Sequence, residues 1–170
     1  MKKFLFVLLI SFFHFGLNCQ VHRNDTITET FFDVETMNLL MIEEMNLYRV
    51  EHGLPKFIVD TTLMRLSNRH AKWMAENDIY CHTSDKRTPY SADHRFYNFA
   101  ENCTMGKCIY MWNTHLKLSK NVVGGWKHSE SHSNNILDST NLYIGVGSYQ
   151  LVNDKGQKCQ YFVAQFRSFQ

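Results

Sequence analysis

From Val34 onward the apolar residues return at helical spacing. Met37, Met41, Met45 and Tyr48 recur every three or four positions, with Glu43, Glu44 and Arg49 on other faces, which predicts an amphipathic helix. Gly53 ends it and Pro55 keeps it ended. Asp60 then stands as N-cap to a second helix over "TTLMRLSNRHAKWMAEND", in which Leu63, Leu66, Ala71 and Met74 mark the buried stripe. A third helix reads around "LSKNVVGGWKHS", with Ser119 as its cap and Val122, Val123 and Trp126 on one face. Gly124 and Gly125 weaken that helix, each by about 1 kcal/mol relative to Ala.

The C-terminal pattern has a period of two. "LYIGVGSYQL" and "CQYFVAQF" are rich in β-branched and aromatic residues and flank the turn "NDKG", a hairpin signal. Ile144 and Val146 fall on one face of the first strand, and Tyr143, Tyr149 and Leu151 on the other. A strand apolar on both sides is covered on both sides, so helices are expected on each face of the sheet. The fold class expected is α+β, a three-layer α-β-α sandwich in one domain spanning 34–170. Residues 20–33 are polar and read as a flexible lead-in. Residues 80–110 hold most of the cysteines and few periodic signals.

Ahead of the domain, "MKKFLFVLLISFFHFGLNCQ" has two lysines, an apolar run from Phe4 to Phe13 and a small-residue exit, the layout of a secretory signal peptide over 1–19. The run is shorter than the roughly 20 apolar residues of a membrane span. Cleavage after Cys19, or lipid attachment to Cys19 in a bacterial envelope, are the two processing outcomes. The whole chain carries 18 Lys and Arg against 16 Asp and Glu; Lys2 and Lys3 lie in the leader, so without it the two counts balance. Nothing in that charge calls for a nucleic acid or an anionic membrane as partner. Beyond the leader stand Cys81, Cys103, Cys108 and Cys159. In an exported chain they suggest up to two disulfides, with three possible connectivities; no CxxC pair supports the rival zinc reading. "NDT" at Asn24 and "NCT" at Asn102 are acceptor sequences for glycosylation in a eukaryotic secretory pathway.

Three strings hold residues fit for chemistry: "YCHTSD" with His82, "FAENCT" with Glu101 and "SESHSNNIL" with His132. Two imidazoles and a carboxylate suit a metal site, an acid–base site or a buried hydrogen-bonded network, and spacing does not choose among them. His128 and His132 have the i, i+4 spacing of paired ligands on one helix face, without the glutamate of HExxH. His70 reads as a structural core histidine, and Trp73, Trp112 and Trp126 as core or interface aromatics. Ser129, Ser131 and Ser133 place hydroxyls near His132, though serines are ordinary at a helix end.

Taken in order, "NLYRVEHGLPKFIVD", "LSNRHAKWMAEND", "CHTS", "AEN", "VVGGWKHSESHSNNIL", "IGVGSY" and "YFVAQF" resemble the CAP superfamily of cysteine-rich secretory, venom-antigen and pathogenesis-related proteins. The form is bacterial-type, and the resemblance covers about residues 38 to 167. It implies an α-β-α sandwich with a mainly antiparallel sheet, secretion, and a cleft lined by His82, Glu101 and His132. Many eukaryotic members have a second glutamate three residues after the tryptophan of the third helix; here that position is Ser129. The function implied is an extracellular binding module whose ligand, lipid or protein, is not specified. The alternative is a metal-dependent hydrolase with zinc, the candidate cofactor, on His82 and His132 and with Glu101 activating water.

Overall fold

Helix α1 (Val34–Glu51) begins where the Asp33 carboxylate accepts from the Thr36 N–H at 3.0 Å, a side-chain N-cap. The computed structural model describes residues 22–83, 85, 99–107, 114–153 and 156–168. Residues 1–19, including Cys19, and also Cys108 and Trp112 lie outside the described residues. Met37, Met41 and Met45 are fully buried on α1, and Arg49 continues the same stripe. The Arg49 guanidinium donates to the carbonyls of Pro55 (2.7 Å), Ile136 (2.7 Å) and Asp138 (3.0 Å). It also sits 4.1 Å above the Phe57 ring, so a buried cation is tolerated because carbonyls and a π-face surround it.

Strand β1 (Ile58–Val59) leads into helix α2 (Thr61–Asn77). Asp60 caps α2 by accepting from Thr62 and Leu63 N–H at 2.7 and 3.1 Å. Asp78 ends it in the left-handed region, φ 47°. The buried stripe is Leu63, Ser67, His70, Ala71 and Met74. Leu66, expected in that stripe, is only half-buried. Ser67 and His70, two polar side chains, hold core positions here: the first half of the helix meets sheet backbone, while Ala71, Met74 and Ala75 farther along meet apolar side chains of the sheet. A Cβ on Gly145 would stand 2.1 Å from the Leu63 carbonyl carbon, and one on Gly147 would stand 2.1 Å from the Asn68 nitrogen. The "IGVG" string is therefore the contact that lets α2 lie directly on the sheet, and the Ser67 hydroxyl donates to the Gly145 carbonyl there at 3.1 Å.

Strands β2 (Phe99–Lys107), β3 (Asn141–Val152) and β4 (Lys158–Ser168) complete a sheet of order β1-β3-β4-β2. β3 and β4 form the expected hairpin; β2 pairs antiparallel with β4, and β1 parallel with β3. Ile144, Val146, Phe162, Ala164 and Phe166 face α1, α3 (His115–His128) and α4 (Glu130–Leu137). Cys103, Cys159, Tyr161 and Val163 face α2. The result is the three-layer α+β sandwich that two-sided strands require.

Helix α3 starts a turn earlier than Ser119: Thr114 is the cap, its Oγ1 accepting from Lys117 N–H at 3.2 Å. Ser119 is buried inside the helix, donating to the Leu116 carbonyl at 3.0 Å. The first turn was hidden because His115 reads as polar yet is fully buried. Its Nε2 accepts from the Asp33 N–H at 2.9 Å between the rings of Phe31 and Phe32. Residues 22–33 pack along this start. Ile27 enters the core, Thr26 bridges Thr114, and Leu116 N–H donates to the Arg23 carbonyl at 2.9 Å.

The disulfide expectation is corrected among the described cysteines: Cys81, Cys103 and Cys159 are buried and none is joined to another. Cys103 pairs across the strands with Val163, and Cys159 with Lys107. Four strand positions, about 13 Å at 3.3 Å per residue, therefore separate Cys103 from Cys159, beyond the Cα separation a disulfide spans. No described helix is long and apolar enough to cross a membrane.

Candidate functional site

β2 lies at the edge of the sheet, and the site straddles it. Alternation sends Glu101 and Cys103 to the α2 side and Asn102 and Thr104 to the α3 and α4 side. Glu101 is nearly closed off, with its side chain 4% exposed, whereas that of His82, just beyond α2, is 48% exposed. His82 Nδ1 lies 2.9 Å from Glu101 Oε1. The same oxygen accepts from Thr83 N–H at 2.9 Å, and Oε2 accepts from Thr83 Oγ1 at 2.8 Å and Gln165 Nε2 at 2.9 Å. Cys103 Sγ adds a weak donor at 3.4 Å from Oε1. Burial alone would raise the Glu101 pKa, but the hydrogen bonds from His82, Gln165 and Thr83 and the nearby charge of His70 outweigh it and bring it down to about 2. A carboxylate held by so many donors is ionised and occupied. It makes a poor general base, since the lone pairs that would take a proton are engaged.

His82 is raised, first by its hydrogen bond to Glu101, against the cost of burial. A ring whose Nδ1–H faces a carboxylate keeps its Nε2 lone pair free for the solvent side. His132 enters from the opposite layer. Asn102 Nδ2 donates to the His132 carbonyl at 3.0 Å, Asn135 donates to Asn102 Oδ1 at 2.8 Å, and Asn141 donates to the Asn135 carbonyl at 3.1 Å. Arg49 holds the C-terminal carbonyls of α4 from below, and Trp126 underlies the His132 ring at 6.4 Å. Burial lowers the His132 pKa and the charge of His82 lowers it further, so the two imidazoles sense each other across the edge strand.

Two other readings of the sequence fall here. Ser129 is extended (φ −98°, ψ 118°) between α3 and α4, so His128 and His132 sit on separate helices and share no face. His128 Nδ1 bonds instead to the Gly124 carbonyl at 2.7 Å. Asn102 is fully buried in the asparagine chain, which closes it to a glycosyl group, while Asn24 is exposed. Among the described residues no hydroxyl pairs with His132; Ser133 bonds to Tyr48 at 3.0 Å and Ser129 to Ser131 at 3.3 Å.

The family model of the cysteine-rich secretory protein family, CAP, matches residues 42–166. The chain belongs to this family. Among solved structures the fold is similar to an outer surface protein of Borrelia burgdorferi, at TM-score 0.59 and 22% identity, covering 86% of this chain and 99% of that one. It is also similar to an extracellular SCP-domain protein of Bacillus anthracis, at TM-score 0.59 and 20% identity over 80% of this chain. A cysteine-rich secretory protein of Staphylococcus aureus gives TM-score 0.56 and 14% identity over 81%. The chain spans 41% and 40% of the lengths of these last two. No curated protein matches it.

The family resemblance pointed to His82, Glu101 and His132, but two neighbours were missed. His70 and Cys103 each offer a ligand atom that lies, with one from Glu101, within a mutual distance of 4.8 Å. Alternation along β2 places Cys103 on the side of Glu101, a signal available once β2 is recognised as a strand.

Proposed function

We propose that this CAP domain is a secreted binding module and that His82, Glu101 and His132 form its ligand-binding cleft. The observation that carries the reading is the unequal pair His82–Glu101, a closed carboxylate holding an open imidazole. A buried acid beside an exposed histidine fixes that ring's tautomer and direction, the support that metal-binding imidazoles need. Zinc is the candidate ion for the two imidazoles: His82 would offer Nε2, and among the described residues no hydroxyl competes for the His132 ring. Zinc, when bound, would supply a Lewis-acidic coordination position for a ligand. Glu101 would orient His82, and its engaged oxygens argue against the hydrolase alternative in which it activates water. The leader-like N-terminus and the family support export.

The test is calorimetric titration of zinc into the purified chain, His82→Ala and His132→Ala. One zinc equivalent bound tighter than ~10 µM, about 7 kcal/mol, and missing after either change, is the expected result. Absence of binding, with both variants less stable to heat, would make the histidines structural and overturn the metal reading.

A further inference from the structure

Beneath the cleft, on the α2 side of β2, lies a second set of donors that shares Glu101 with the cleft and adds His70 and Cys103, which the cleft does not use. We propose that His70, Glu101 and Cys103 form a buried site for a thiophilic divalent cation such as zinc, separate from the His82–His132 pair. One ligand atom from each of the three lies within 4.8 Å of the others. Cys103 Sγ and Glu101 Oε1 are 3.4 Å apart, close to the about 3.6 Å that sulfur and oxygen take on one tetrahedral zinc with bonds of about 2.3 and 2.1 Å.

The independent observation is the state of His70. Its ring is fully buried, and its Nε2 is 2.9 Å from the Cys81 carbonyl. A carbonyl only accepts, so Nε2 carries the proton and Nδ1 carries the lone pair. That Nδ1 is buried with no hydrogen-bond partner. A histidine tied through one N–H to a backbone carbonyl, with its other nitrogen bare, is in the tautomer and restraint of a metal ligand. Burial also lowers the His70 pKa.

Charge favours this set over two imidazoles. A dication held by a thiolate and a carboxylate is neutral overall, which suits a closed site, whereas the imidazoles of His82 and His132 leave both positive charges uncompensated. The step balances simply: a metal–sulfur bond forms, the Cys103 S–H bond breaks, and the proton leaves to solvent. The cation takes the place of the proton now lying between Sγ and Oε1, and the donors from His82, Thr83 and Gln165 stay on the carboxylate.

The experiment is a cobalt(II) titration of the purified chain under a thiol-free reductant, read by absorption. His70→Gln is informative because its amide can keep the bond to the Cys81 carbonyl while removing the imidazole lone pair. The expected result is a near-ultraviolet thiolate-to-cobalt charge-transfer band that His132→Ala retains, Cys103→Ser abolishes, and His70→Gln weakens at least tenfold in apparent affinity. X-ray absorption of the zinc-loaded unmodified chain should show one sulfur in the coordination shell, a reading that depends on no variant folding. Cobalt spectra without a thiolate band, a band that survives Cys103→Ser, or a zinc shell of nitrogen and oxygen only would overturn the proposal. A sulfur-free spectrum abolished by His132→Ala would do so while leaving the cleft reading intact.

Discussion

Against one face of the β3–β4 hairpin the chain packs side chain on side chain: Met37, Met41, Met45, Leu118, Val123 and Trp126 meet Ile144, Val146, Phe162 and Phe166. Against the other the first half of α2 packs backbone on backbone, resting on Gly145 and Gly147; farther along the same face a smaller apolar cluster of Ala71, Met74, Tyr161 and Val163 stands beside His70, Glu101 and Cys103. The first face is apolar volume that can adjust when one group changes. The second is a rigid contact beside a polar cluster, where neither extra volume nor a lost donor is absorbed. The site is built where the packing is least forgiving, so its geometry is held by α2 and by hydrogen bonds more than by a surrounding apolar bed.

The largest effect that tests this contrast is Gly145→Ala. The added methyl would stand 2.1 Å from the Leu63 carbonyl carbon and 2.2 Å from the Met64 nitrogen, atoms that move only if α2 moves. A loss on the order of 4 kcal/mol in denaturant unfolding is expected, at the upper end for overpacking. Ile144→Val, one residue away but facing the side-chain core, should cost about 1 kcal/mol. Equal costs for the two would end the distinction between the faces.

Next comes Glu101→Gln. The carboxylate's pKa is depressed from 4.5 to about 2, so its stabilising contribution is fully present above the ordinary value and disappears as pH falls through about 2. The linked energy is about 3 kcal/mol. The variant should lose roughly that much at neutral pH, where an amide N–H₂ replaces an acceptor among the donors of Thr83, Gln165 and His82. The gap between the two proteins should narrow steadily as stability is measured from pH 5 toward pH 2. A gap independent of pH would mean that the carboxylate's ionisation does not support the fold.

How much of this was legible follows the same division. The α1 face was written in helical periodicity, and α2 was expected from Thr61 and ends at Asn77, because Asp60 caps it and the apolar pattern stops. The hairpin was written in period-two strands. β2 was not legible: Glu101 shares a face with Cys103 and Met105, and the other face carries polar Asn102 and Thr104, so neither face reads as a plain apolar stripe. Leu66 and Ser119 were misplaced because fully buried Ser67 and His115 do not look like core residues. Cysteine compartment logic says nothing about distance, so it could not show that Cys103 and Cys159 lie four strand positions apart. His82, Glu101 and His132 came through family resemblance. That His70 stands beside Glu101 needed the docking of α2 on the sheet, information no local window contains.

The smallest effect separates the two imidazoles. His82 is raised by its hydrogen bond to Glu101. Its contribution is therefore fully present below the ordinary histidine pKa and is lost as pH rises through the raised value. His132 is lowered by burial and by the charge of His82. It therefore withdraws stability as pH falls below the ordinary value, because the unfolded chain takes up a proton that the folded one refuses. His132→Ala should change stability by only about 0.5 kcal/mol at pH 8, since the asparagine chain holds its backbone carbonyl and not its ring. As pH is lowered from 7 to 5 the variant should gain on the parent, while His82→Ala falls behind it. Both curves come from thermal melts across that range. If they moved in the same direction, the two rings would share one environment; opposite slopes would mark His82 as the ring whose charge Glu101 supports and His132 as the ring whose charge burial and His82 oppose.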